Sequence, residues 1–303
     1  MSKFSSSDAA FEGFRLARHH PRAVLIWAGA SFLTTIAVGL LTAVLFSGSL
    51  ARAGGDVDPA NATLTLELVR DAVISLLLGL AVISIYLNGV YRAVLRSDDF
   101  HEDRWGYLRV GREELRTACA VVVYGVLYVA LTFVVSLGAG ILAVIAALIG
   151  APQILIYLLV GAAVVTVFLI CWVRLTFVLP MTFDKGRLSF RDSWRLSKGW
   201  FWPLLGMNVL TFALTAVVIL TIFIVSMAVA AIVAGGNLRE MLQSFNADTP
   251  TLASYLNPLT LTYLLLSASI GALQNALLYG PAAHAYRVIS AVTAEREAAK
   301  AES

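Results

Sequence analysis

Residues Phe190 to Leu205 read FRDSWRLSKGWFWPLL, a stretch that alternates cations with large rings and then passes without a break into apolar sequence. Arg191, Arg195 and Lys198 supply the charge, and Trp194, Trp200, Phe201 and Trp202 supply the rings. That mixture suits neither a soluble core nor a lipid-buried helix. It settles where headgroups meet acyl chains, with apolar stems along the hydrocarbon and charged tips in water. The stretch predicts an amphipathic elbow lying on a membrane surface, so the sequence around it should supply membrane spans.

It does. Of 303 residues, 59% are apolar and 14% charged, with a mean hydropathy of +0.82, whereas a soluble domain carries about 25% charged residues. Runs without Asp, Glu, Lys or Arg extend over Ala23–Ser47, Ala72–Tyr91, Thr117–Ile149, Ile154–Val173, Leu204–Gly235 and Leu259–Tyr286. Each reaches the roughly 20 residues a spanning helix needs. The expected fold is all-α: one polytopic membrane domain over 1–303, with six spans and no soluble domain beside them. The third run, at 33 residues, would form a helix of about 50 Å against a hydrocarbon core of about 30 Å. It is expected to tilt, protrude or break, with Gly138-Ala139-Gly140 as the weak point. Ala139, Ala143 and Ala147, and again Ser226, Ala230 and Ala234, form small-residue stripes suited to close helix packing.

Cations fix the orientation, because Lys and Arg stay on the cytoplasmic side while acids have little influence. Segments 1–22, 92–116, 174–203 and 287–303 carry 4, 6, 6 and 3 of them, 19 in all, against Arg52, Arg70 and Arg239 on the other side. Both termini are therefore expected in the cytoplasm. The apolar run before Ala51-Arg52-Ala53 is too long for the core of a signal peptide, so the first span is expected to remain. In the loop that follows, Leu64, Leu66 and Leu68 alternate as a short strand or a helix lead-in would.

The elbow has relatives inside the chain. Phe14-Arg15-Leu16-Ala17-Arg18 aligns without gaps to Trp194-Arg195-Leu196-Ser197-Lys198, and Leu108-Arg109-Val110-Gly111-Arg112 keeps the same order of character. Each copy precedes two spans whose exit carries an arginine: Arg92, Arg174 and Arg287. The chain thus divides into three units, 4–96, 97–180 and 181–291, followed by a charged tail, 292–303. Each unit is an amphipathic interfacial elbow helix followed by a hairpin of two spans, and threefold pseudosymmetry is the economical packing.

Val173-Arg174-Leu175-Thr176-Phe177-Val178-Leu179-Pro180, a short loop, and then Phe190 to Gly199 with Phe201-Trp202 resemble a motif of a poorly characterised bacterial six-span family. That family is similar to the membrane domain of glycerophosphodiester phosphodiesterases. The motif covers about 35 residues, 172 to 206. The resemblance implies a bacterial cytoplasmic (inner) membrane location and lipid-related partners. It implies no hydrolysis, because fused members owe that activity to a soluble catalytic domain and only 12 residues follow Ala291 here.

Catalytic and metal chemistry lack the residues they need. No Asp or Glu falls inside a predicted span, so no sheltered pair of carboxylates is expected. His19, His20, His101 and His284 show no metal-ligand spacing, and Cys119 and Cys171 lie inside spans as small apolar residues. No cofactor is indicated, and the expectation is a non-enzymatic protein. Arg15, Arg18, Arg109, Arg112, Arg195 and Lys198 are the candidate binding cations, for anionic membrane lipids or a membrane-protein partner; nucleic acid is disfavoured because the elbows are pinned to a membrane. Arg92, Arg174 and Arg287 are expected to snorkel or to cap helix ends. Gln274, Asn275, Tyr279 and His284 make the sixth run the most polar. They are expected to pack helices through partners such as Asn88 or Asn208, or alternatively to line the path of a transported apolar or lipid-like solute.

Overall fold

The computed structural model describes residues 4–53, 62–96, 105–148, 152–233 and 258–302, and among these it is helical without strands. Two short helices, α1 (Ser6–Ala10) and α2 (Glu12–His19), lead into α3 (Pro21–Ala53), which is followed by α4 (Ala62–Leu95), α5 (Arg112–Leu148) and α6 (Gln153–Leu175). The short helices α7 (Val178–Lys185) and α8 (Phe190–Leu196) precede α9 (Phe201–Val233) and α10 (Pro258–Ala301).

Local chemistry sets these boundaries. Ser5 caps α1 by accepting from the Asp8 amide, and Asp8 itself sits in the first turn, where the exposed amides favour an acid. Pro21 opens α3 with only His20 between it and α2, because a proline at the first helical position loses no hydrogen bond. Gly186, at φ 66°, ends α7 in the left-handed conformation that glycine adopts without a Cβ penalty.

Among the described residues, five stretches are long and apolar enough to cross a membrane: Pro21–Leu41, Val69–Leu95, Arg112–Ile145, Ile154–Lys185 and Phe201–Val225. The sixth expected span, Leu259–Tyr286, lies within α10, where the side chains of residues 258–260 and 263 lie outside the described residues. α10 runs on through Pro281 to Ala301, so most of the charged tail is helix. The third span does not break at Gly138–Gly140, and α5 continues for 37 residues. α4 starts at Ala62, which makes the Leu64–Leu68 alternation a helix lead-in. The side chains of Ala147, Ser226 and Ala230, and all of Ala234, lie outside the described residues.

The three elbows differ. The first forms α1 and α2, and the third, Phe190–Leu205, forms α8 and the start of α9. The second forms no helix over 105–111: Gly106 and Tyr107 take φ 62° and 66°, which a helix cannot accommodate.

The buried core sits at the elbow ends of the long helices. One cluster centres on Trp27, Leu87, Val90, Tyr91, Phe183 and Ala276, and a second on Val173, Phe177, Met181, Leu204, Met207 and Ile289. α10 is central to both, packing against α1, α2, α3, α4 and α9. Helices in lipid gain little from apolar burial against each other and associate instead through close backbone approach. α2 and α10 show it: a β-carbon on Gly13 would fall 2.6 Å from Leu277 Cα and 2.7 Å from the Ala276 carbonyl oxygen. Further from the elbows, Val129, Phe133 and Leu137 on α5 and Val217, Leu220 and Phe223 on α9 are exposed, as lipid-facing residues should be.

Candidate functional site

Charge enters the apolar body where α4 ends and α5 begins. Arg92, 3% exposed, donates through Nη1 to the Tyr107 carbonyl at 3.0 Å and through Nη2 to Glu113 Oε2 at 2.8 Å and to Glu114 Oε1. One turn on, Arg96 donates to Glu113 Oε1 at 3.0 Å, and one turn back Asn88 Oδ1 accepts from Thr117 at 2.8 Å. The Phe183 ring covers the group, with its centroid 4.7 Å from the Arg96 guanidinium and 5.8 Å from that of Arg92. Two guanidinium groups thus meet two carboxylates, and the cluster is neutral as a whole. Its second anchor is the elbow backbone. Trp27, fully buried, donates to the Gly106 carbonyl at 2.5 Å, so two side chains hold the left-handed pair Gly106-Tyr107 in place. A left-handed tyrosine costs about 1–3 kcal/mol and persists only when its surroundings fix it.

The other two exit arginines behave differently. Arg287 donates to the Val94 carbonyl at 2.9 Å and so caps the end of α4. The Arg174 carbonyl accepts from Ser193 at 2.9 Å and Ser197 at 3.3 Å, pinning α8, while its guanidinium lies 5.7 Å from the Trp194 ring centroid.

The six candidate cations all reach the surface at the elbow end. Arg15 and Arg18 project from α2, Arg109 and Arg112 from the start of α5, and Arg195 and Lys198 from α8 and just beyond it; all six are exposed. Exposed Trp105, Trp194 and Trp202 stand among them. Arg15 holds Asp8 and, at 3.4 Å, Glu12. The Arg15 guanidinium keeps the Asp8 carboxyl below the usual carboxylate range. Glu12 is likewise held low, chiefly by the His284 imidazole and further by Arg15. His284 Nδ1 lies 3.4 Å from Glu12 Oε2.

The polar set of α10 is therefore divided. His284 faces α2. Tyr279 faces a cavity of about 360 Å³ between α4, α5, α6, α7, α9 and α10, whose wall also includes Tyr91, Tyr124, Asn208 and Thr211. Gln274 and Asn275 are not part of that wall and are half-buried elsewhere on the helix. The expected partners are engaged otherwise: Asn88 with Thr117, and Asn208 with Thr176 at 3.2 Å. The Thr211 hydroxyl is buried without a hydrogen-bond partner among the described residues.

Two groups escaped the sequence reading. Drawing spans as charge-free runs left Glu113 and Glu114 outside the apolar interior, although they lie within four residues of a run's start and Arg92 immediately follows one. On α9, Asn208, Thr211 and Thr215 recur at i, i+3 and i+7, the spacing of one helix face, and both threonines are buried. Among the described residues no group of three or more His, Cys, Asp or Glu side chains is placed to hold a metal ion. No protein-family model, curated protein or solved structure matches the chain.

Proposed function

We propose that this is a six-span protein of the bacterial cytoplasmic membrane, with both termini in the cytoplasm, that gathers anionic lipid headgroups on a collar of elbow cations without chemistry of its own. The observation that carries the reading is a division of labour among the cations. Arg92, Arg96 and Arg287 are engaged with the protein's own carboxylates and carbonyls, whereas Arg18, Arg112, Arg195 and Lys198 present exposed charge, and Trp105, Trp194 and Trp202 are exposed as well. Each cation at an anionic leaflet contributes about 1 kcal/mol. The resemblance of residues 172–206 to the membrane domain of glycerophosphodiester phosphodiesterases supports the lipid side of this reading. The test is native mass spectrometry of protein extracted from vesicles containing phosphatidylglycerol. Arg18, Arg112, Arg195 and Lys198 changed together to Ala should strip bound anionic lipid, and unchanged retention would overturn the proposal.

The cavity favours a second reading, passage of an apolar or lipid-like solute. Asn208→Leu with Tyr279→Phe should then abolish flux in proteoliposomes, and undiminished flux would count against it.

A further inference from the structure

We infer that the groove between α4 and α5 is a site for a single phospholipid whose headgroup carries a primary ammonium. The inference rests on the membrane reading above and shares only Arg112 with the collar. The groove has a volume of about 520 Å³ and is open along its length. Leu77, Ala81 and Ser84 form one wall, and Leu115, Ala118 and Val122 the other. Leu77 and Leu115 are exposed, as the rims of a lipid-facing groove must be. From Glu114 to Val123, both in its lining, α5 advances about 14 Å at 1.5 Å per residue, room for an acyl chain lying along the helix.

The elbow end of the groove is what makes it a site rather than a crevice. Glu114 lines it there, with only 6% of its side chain exposed. Its Oε1 is taken by Arg92, while its Oε2 is buried and has no hydrogen-bond donor among the described residues. A buried carboxylate oxygen without a donor is costly, more so than a neutral group. The neighbouring turn completes the pattern: Val110 and Gly111 line the same end, and Arg112 follows them with its side chain exposed. An acceptor thus lies inside and a cation outside. A headgroup with a phosphate and, two carbons away, an ammonium is the reverse dipole. Its phosphate meets Arg112, its N–H donors meet Glu114 Oε2, and one acyl chain fills the groove. Because both headgroup and ion-pair cluster are neutral overall, the complex adds no net charge to the membrane interface. A trimethylammonium headgroup has the same charges and lacks the N–H donors.

Native mass spectrometry can separate these headgroups. Protein in nanodiscs of phosphatidylethanolamine should retain one lipid about tenfold more than in phosphatidylcholine with the same acyl chains, a difference equivalent to ~1.4 kcal/mol. Ala118→Phe fills the groove and leaves the Arg92–Glu114 pair intact, so it should abolish this preference without unfolding the protein; Glu114→Gln should reduce it as well. Equal retention of the two headgroups, or an undiminished preference in Ala118→Phe, would overturn the inference. Phosphatidylglycerol bound through the collar should be insensitive to Ala118→Phe, so failure of the groove and failure of the collar give different results.

Discussion

Arg92 satisfies three acceptors from one guanidinium, two carboxylates and a carbonyl. Arg92→Ala would strand Glu114 in the interior with no cation against it, and breaking a buried pair from one side costs about 3–5 kcal/mol. The expected result is a correspondingly large loss of stability in thermal or denaturant unfolding followed by circular dichroism. Arg92→Lys keeps the charge but loses the planar fork, so it should recover only part of that loss. Glu12 gives a prediction in pH. Its carboxyl titrates below the ordinary glutamate value, about 4.3, so its contribution is complete above that value and disappears as pH falls through the lower folded-state value. Proteolysis of the first elbow should accelerate on acidification, and Glu12→Gln should flatten the dependence. The charges on these residues are plain in the sequence. Their depth is not, because depth depends on which neighbours fold over them: Arg92 and Arg287 both end a span, yet one is enclosed by Phe183 and the second elbow while the other is exposed.

At the scale of helices, the contact between α2 and α10 depends on Gly13. Gly13→Ala forces a methyl group against the α10 backbone, which cannot yield as a side-chain tip would. Overpacking of this kind costs about 1–3 kcal/mol, and here it should release the N-terminal elbow, seen as faster cleavage after Arg15 or Arg18. Gly29→Ala on α3 is the control, since nothing lies within 4 Å of the added carbon, and it should be neutral or mildly stabilising. The long helices were legible because an apolar run of 20 residues has few alternatives. The elbows were legible only as surface segments. Similar five-residue patterns fold as helix in the first, as the end of a helix in the third and as irregular backbone in the second, where the left-handed pair Gly106-Tyr107 precedes the pattern and Trp27 and Arg92 hold the backbone. The polar set of α10 misled for a related reason: Tyr279 and His284 share a helix but face a cavity and α2 respectively, and the sequence does not say which helices lie on either side.

At the scale of the molecule, exposed cations and rings gather at one end of the helices, the buried core lies just inside them, and apolar surface extends beyond. Charge bookkeeping along the chain anticipated this polarity, whereas the neutral cluster inside it emerged only from packing. The account stands or falls on the collar being one cytoplasmic surface. Single cysteines placed at Arg18, Arg112 and Lys198, in a background with Cys119 and Cys171 changed to Ala, can be probed with a membrane-impermeant maleimide in intact spheroplasts and after permeabilisation. The account predicts that all three are labelled only after permeabilisation; labelling of any one of them in intact spheroplasts would contradict it.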